Sequence, residues 1–243
     1  MVAYERFAAF YDVVMDDPAP RAARVNAAID RYRPDAATVL ELGCGTGSIL
    51  ARLETGAALT GLDRSPEMLA VAAAKVPGAE LLEGDMADFD LGRRFDVVVC
   101  VFDSLNHLLD VDAWASSLAC VHRHLHDDGL FVFDVNTVGE LQRLGEELPW
   151  VYDFEGGTAV IDVSFARDGA GLGVTDWDIR IFEQVTDTRY ELHHECIGEL
   201  ALPLERVREL AEVGFVVLEE VDEDGLVATD TSVKAYYAAR RRG

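Results

Sequence analysis

The stretch at residues 38–50, TVLELGCGTGSIL, limits what this chain can become more than any other part of it. Val39 and Leu40 are apolar, Glu41 is an acid, and Gly43, Gly45 and Gly47 follow at alternate positions. That order predicts a buried strand, a tight glycine turn and a helix that starts at Ser48 and ends near Gly56. Glycine is needed where the backbone takes positive φ or lets a ligand lie against it. The open N–H groups of a new helix add partial positive charge, which suits a carboxylate or phosphate. The reading is a site for a nucleotide-like cofactor.

The flanking sequence gives that turn a setting. Tyr4, Phe7, Phe10, Tyr11 and Val14 recur at spacings of three and four, which predicts an amphipathic helix over 4–16. A second helix is expected from 20 to about 32, stopping before Pro34. Strands are expected at 38–42, 58–62, 80–82, 95–101 and 130–135, with helices at 66–75 and about 112–125. Ser65-Pro66-Glu67 supplies a cap, a first-turn proline and an early acid, and Asp127-Asp128-Gly129 reads as a turn. Strands alternating with helices of this length imply a mostly parallel sheet. Ligands bind such sheets at the carboxyl ends of the strands, where Gly43, Asp63, Asp85, Asp103 and Asn136 stand.

After Pro149 the pattern changes. Alternation at 157–165, 173–185 and 189–199 predicts a three-stranded antiparallel insertion, too small for a core of its own. Its aromatics Trp150, Tyr152, Phe154, Trp177 and Phe182 suit either a lid over a substrate or the insertion's own packing. A helix at 204–212 and strands at 215–221 and 232–239 close the chain. The expected fold is α/β: a Rossmann-like, seven-stranded, mostly parallel sheet with helices on both faces and a small antiparallel insertion. One domain would span 1–243: a helical cap at 1–34, a cofactor-binding core at 35–148, the insertion at 149–200, and 201–243 completing the sheet.

Composition excludes several functions. A net charge of −24 argues against binding a nucleic-acid backbone, and lysine occurs only at 75 and 234. No apolar run reaches the roughly 20 residues of a membrane span. The N-terminus lacks the pattern of a secretory signal, and Cys44, Cys100, Cys120 and Cys196 form no Cys-x-x-Cys pair. A reduced, cytoplasmic setting is expected. Of His122, His124 and His126, only the first and last would share a helix face, so no metal site is expected there. His193 and His194 would point to opposite faces of a strand.

Glu41-x-Gly43-x-Gly45-x-Gly47, Asp63, Gly84-Asp85-Met86 and the block at 95–107, taken in order, resemble the class I S-adenosylmethionine-dependent methyltransferases. Phe102-Asp103-Ser104-Leu105-Asn106-His107 and Asp134-Val135-Asn136 look like the small-molecule subgroup with a β-insertion after the fifth strand. The resemblance implies S-adenosyl-L-methionine as cofactor and S-adenosyl-L-homocysteine as product. It implies that Gly43, Cys44, Gly45 and Gly47 lie against the methionine part, with Glu41 ordering the loop or reaching the amino group. Asp63 would accept from both ribose hydroxyls, Asp85 would take the adenine amine, and Met86, Arg64 and Met68 would wall the base. Phe102 would stand beside the sulfonium and Tyr11 would close over the methionine end.

A dinucleotide fingerprint would need glycine where Ser48 stands. Methyl transfer needs near-attack positioning, and a base only when the nucleophile must shed a proton. His107 is the candidate base, with Asp103 and Asn106 orienting the acceptor; the competing reading is a structural histidine. The Asn-Pro-Pro-aromatic segment tied to base or amide methylation is missing, since Phe102-Asp103-Ser104-Leu105 occupies its place. The expectation is transfer to a small-molecule acceptor, with an amine nitrogen ahead of an oxygen. A cofactor-binding sensor on the same fold and a protein methyltransferase are the alternatives. Neither nucleic acid nor membrane is an expected partner, and a homodimer is left open.

Overall fold

The computed structural model describes residues 7–15, 17–169 and 171–243. The elements follow the order α1 (Tyr11–Val14), α2 (Ala19–Tyr32), β1 (Thr38–Leu42), β2 (Ala58–Asp63), α3 (Pro66–Lys75), β3 (Glu80–Glu83) and β4 (Phe95–Cys100). Then come α4 (Val111–His124), β5 (Leu125–Asn136), α5 (Val138–Gly145), β6 (Trp150–Phe154), β7 (Gly157–Arg167), β8 (Gly173–Thr186) and β9 (Arg189–Ala201). The chain closes with α6 (Leu204–Glu212), β10 (Phe215–Val221) and β11 (Lys234–Arg241).

Seven strands form one sheet in the order β10-β11-β5-β4-β1-β2-β3. The five strands β1 to β5 pair in parallel, and β11 runs antiparallel against both β5 and β10. β1 and β4 are buried along nearly their whole length because both sheet faces are covered. Leu40, Leu42, Val98, Cys100 and Phe131 pack with Trp114, Leu118 and Val121 of α4 and Leu204 and Val207 of α6. Val39, Val97, Val99 and Val132, on the other face, pack against Ala22, Val25 and Ile29 of α2. The strand order reverses between β1 and β4, so the loops at their carboxyl ends part and leave a crevice there.

The insertion is a separate antiparallel sheet, β6-β7-β8-β9, with one more strand than the sequence predicts. Ala159, Ile161, Val163, Ile179, Ile181 and Ile197 are buried against Leu141 and Leu144 of α5 and against Phe7 and Val14. Trp150, Phe154 and Trp177 join that cluster, whereas Tyr152 is exposed. The insertion therefore shares one core with α5 and the N-terminal segment.

Four expectations are corrected. The helix predicted after the glycine turn is only a 3-10 turn, Leu50–Arg52, and Ser48 caps nothing; its hydroxyl is spent on Asp12 and Lys75. The N-terminal helix is short: residues 7–10 form a turn before α1, and Tyr4 lies outside the described residues. α5, two turns long, was not predicted. The Asp127-Asp128-Gly129 turn is a kink inside β5, where the pairing with β4 shifts register and Asp128 has φ +62°. Among the described residues, no helix is long and apolar enough to cross a membrane.

Candidate active site

A cavity of about 570 Å³ opens at the carboxyl ends of the parallel strands. The loop after β1 forms one wall. Gly43, Gly45 and Gly47 have φ of +62°, +51° and +74°, values that only glycine adopts without strain. A Cβ on Gly43 would lie 2.7 Å from Ser104 Oγ, so the loops after β1 and β4 touch there. Nothing stands within 4 Å of a Cβ on Gly45, which faces open space. Gly47 instead faces α3, where a Cβ would come 3.1 Å from Ala72 Cβ.

Tyr11, Glu41, Gly43, Cys44, Gly45, Asp63, Arg64, Met68, Asp85, Met86, Phe102 and His107 all line the cavity. Asp63 Oδ2 accepts from the Gly45 N–H at 2.8 Å, and Oδ1 accepts from the Ser65 N–H at 2.9 Å. Burial raises its pKa, and those N–H groups oppose the rise. Burial also lifts Glu41 well above the usual carboxylate range, against a hydrogen bond from the Leu50 N–H. Its Oε2 is buried with no hydrogen-bond partner among the described residues, in the wall of the cavity. Such an orphaned acceptor calls for a donor supplied from outside the chain.

The segment after β4 is bent sharply. Phe102 and Asp103 take φ of +66° and +53° in succession, a conformation costing each roughly 1–3 kcal/mol. Fully buried Asp134 of β5 holds them, accepting from the Phe102 N–H at 3.2 Å and the Asp103 N–H at 2.7 Å. Arg21 of α2 sits 3.9 Å over the Phe102 ring and 3.9 Å from the Asp134 carboxylate.

Behind this bend lies a buried polar network. Lys234, at the start of β11, donates to Asp103 Oδ1 and to Asn136 Oδ1, the latter at 2.6 Å. Asn136 Nδ2 donates to Glu199 Oε2 of β9 at 3.0 Å. Burial would lower the Lys234 pKa, but Asp103 and Asp134 hold it above the ordinary value. Burial would raise Asp103, but Lys234 and Arg21 bring it below the usual range. His107 stands at the cavity side of the network, its Nδ1 3.4 Å from the Gly198 carbonyl oxygen. Burial depresses its pKa, which favours the neutral imidazole, while Asp103, the Gly198 carbonyl and Asp63 act the other way. Asp103, His107 and Glu199 each place one donor atom within 4.8 Å of the others. That set could bind a cation, but the Lys234 ammonium already supplies one to Asp103.

Asn106 is corrected: it orients nothing in the cavity. Its amide donates to the carbonyls of Asn136 and Leu200 at 3.2 and 3.0 Å and accepts from the Asn136 N–H at 3.0 Å, which welds β5 to the insertion. Asp103 and Gly47 likewise stand behind the cavity wall rather than in it. The three α4-region histidines are apart in role: His122 meets the Arg242 carbonyl, and His124 bridges the Cys120 carbonyl and the Leu91 N–H. His126 is on β5, not on a helix. His193 and His194 pair with Glu183 and Asp178.

Burial carries Glu199 up to about 8, with Asp103 adding to the rise and Asn136 and Lys234 opposing it. The folded chain thus keeps a proton that an unfolded glutamate releases above 4.5. This contribution to stability is full below 4.5 and is lost as pH rises to about 8. Glu199→Gln is therefore expected to gain a few kcal/mol on the wild type between pH 5 and pH 9. Thermal midpoints across that range check it; a constant difference between the two proteins would contradict it.

The comparisons with known proteins agree on one family. Residues 39–129 match the family described as a methyltransferase domain. Cypemycin N-terminal methyltransferase from a Streptomyces species is 32% identical over 165 residues, which cover 66% of this chain and 67% of that protein. A structure of an amino pentose methyltransferase from Micromonospora echinaspora, with S-adenosylmethionine bound, superposes with a TM-score of 0.77. It is 26% identical and is matched over 100% of this chain and 99% of its own. The chain belongs to the S-adenosylmethionine-dependent methyltransferases. This methyltransferase is also 29% identical over 207 residues to dTDP-3-amino-3,4,6-trideoxy-alpha-D-glucopyranose N,N-dimethyltransferase of Streptomyces venezuelae, across 84% of this chain and 78% of that one. S-adenosylmethionine is its cofactor.

Sequence reasoning missed Lys234, Glu199 and Asp12, and it singled out the segment of Asp134 without giving that side chain a role. Asp12 accepts from Thr46 and Ser48 at 2.6 and 2.9 Å and pairs with Lys75 at 2.5 Å, tying α1 to the glycine loop. The available signal was rarity: both lysines of the chain are at the site.

Proposed function

We propose that this methyltransferase transfers methyl groups to the amine nitrogen of a small molecule. The observation that carries the reading is His107, which lines the cavity beside the Gly198 carbonyl of β9 and whose burial favours the neutral imidazole. An amine acceptor is protonated at neutral pH and must be free of that proton to attack, so a neutral base is what the reaction asks for. Bound S-adenosylmethionine supplies the methyl on a sulfonium: the amine lone pair forms the N–C bond while the C–S electron pair stays on sulfur. The names of the matched relatives, which specify an amino sugar N,N-dimethyltransferase, an amino pentose methyltransferase and an N-terminal methyltransferase, support nitrogen over oxygen.

In this reading the chain's own residues hold the two reactants. Glu41 Oε2, orphaned and buried, takes the ammonium of the methionine end. Gly43, Cys44 and Gly45 admit its backbone-like atoms, and Asp63 takes the ribose hydroxyls. Asp85, Met86, Arg64 and Met68 surround the adenine. Phe102 and Tyr11 close the methyl end, and Leu108, Leu109 and Ile197 form the apolar mouth where the acceptor enters. The helical cap, the core, the insertion and the C-terminal strands act as one unit, because residues from each of them reach the site or the network behind it.

Incubation with S-adenosylmethionine and a panel of small primary and secondary amines, beside matched phenols and alcohols, tests this reading by mass spectrometry. Methylated amines are the expected product. Methylation confined to the oxygen acceptors, or none at all with cofactor demonstrably bound, would sink it.

A further inference from the structure

The insertion does more than cover the cavity. We propose that Glu199 of β9 is a positioning residue for the proton transfer at His107, stabilising the imidazolium that forms there, so that the insertion supplies part of the reaction machinery. The inference rests on the amine reading above.

The geometry carries it. Glu199 is buried at 3% exposure and yet is an acid, on a strand whose neighbouring buried positions, Ile197, Leu200 and Ala201, are apolar. A purely structural side chain there would be apolar too, since burying a carboxyl group is costly unless something uses it. One oxygen accepts from Asn136, and the carboxyl group lies within 4.8 Å of both His107 and Asp103. Asp103 cannot serve alone, because its charge is already matched by the Lys234 ammonium. Among the described residues Glu199 accepts a hydrogen bond from the Asn136 amide and none from a cation, which leaves a carboxylate there to respond to His107.

The groups that act on this pair can be named. Asp63 and Asp103 favour the imidazolium of His107, and Lys234 disfavours it. Glu199 is opposed by Asp103 and helped by Lys234. Arg21 acts on Asp103, and Tyr11, whose phenol burial keeps protonated, adds no charge. When the methylated nitrogen sheds its proton, the N–H bond breaks with its electron pair left on nitrogen. A new N–H bond forms on the His107 ring, giving one imidazolium and one neutral amine. A carboxylate at Glu199 holds that new charge in a buried setting, where such pairing counts for more than in water. Below about pH 8 Glu199 keeps its own proton, and the support is withheld.

The test compares wild type with Glu199→Gln, which keeps the size and the oxygen that accepts from Asn136. Both full-length proteins are loaded with S-adenosylhomocysteine, and the imidazole of His107 is titrated by NMR, its signal assigned by its loss in His107→Gln. Wild type is expected to show a second inflection near pH 8 in the His107 signal, absent from the variant. Turnover of the variant on a methylated amine should fall behind wild type by a factor that grows with pH and reaches about 10-fold by pH 9, with KM for the amine unchanged within about twofold. Superimposable His107 titrations, or a turnover loss equal at every pH, would overturn the proposal. Failure of both proteins to methylate any amine while the titrations still differ would instead overturn the amine reading and leave the coupling intact.

Discussion

Replacing Asp63 by alanine is expected to weaken S-adenosylmethionine binding by about 100-fold, read by calorimetric titration of the purified protein. The carboxylate stands at the carboxyl end of β2, where the sheet's connectivity opens the crevice. In the proposed role, two hydrogen bonds from ribose hydroxyls to this charged acceptor would carry roughly 1.5–3 kcal/mol each, and each 1.4 kcal/mol is a factor of ten, so 100-fold is the low end. Part of the loss arises before the ligand arrives. Asp63 also holds the Gly45 and Ser65 N–H groups, so its removal frees the glycine loop and the first turn of α3 together. Asp63→Asn keeps one acceptor and the size, and should lose about 10-fold. An alanine variant that binds within about threefold of wild type would remove Asp63 from the cofactor site and reopen the assignment of every residue around it.

The residues that could be read from sequence are those whose job is set by local backbone. The glycines announce positive φ, Asp63 and Asp85 end strands, and the alternation of β1 to β5 fixes a parallel sheet whose carboxyl edge must bind the ligand. The place of the insertion after the fifth strand follows from the change of that pattern, whereas the strand order is seen only in the folded chain. What stayed hidden depends on residues far apart in the chain. Asp134 holds a bend 31 residues before it through the Asp103 N–H, Asn136 meets Glu199 across 63 residues, and Lys234 meets Asp103 across 131. No periodicity encodes such pairings. Asn106 shows the opposite error: a polar residue next to a candidate base looked functional, yet the backbone of β5 and β9 consumes its whole amide. The overlong helix after the glycine turn has a similar cause. Ser48 had the chemistry of a cap, but Asp12 and Lys75, remote in sequence, took its hydroxyl.

Lys234→Met is the substitution expected to cost the most stability, about 3–5 kcal/mol at neutral pH. Methionine fills a similar volume with no charge, so packing is largely preserved. What changes is that Asp103 loses the cation that holds its pKa down, and Asp134 loses the one that opposes the rise burial imposes on it, which leaves Arg21 as the guanidinium near them. Asn136 Oδ1 loses its donor at the same time. The pH dependence gives the sign. With Lys234 present, Asp103 is held below 3.8, so its stabilising contribution exists above that pH and fades as pH falls through the folded value. Without it, burial drives the Asp103 pKa upward, so stability is instead lost as pH rises through the new value. The gap between variant and wild type should therefore be widest near pH 7 and shrink toward pH 4, measured by urea denaturation at each pH. The double variant Lys234→Met/Asp103→Asn should recover a large part of the loss, because the orphaned charge goes with its partner. A single variant as stable as wild type at pH 7 would mean that the ammonium is not what keeps the bend after β4 charged and in place. The strain at Phe102 and Asp103 would then have to be held by the Asp134 carboxylate and the Arg21 contact alone.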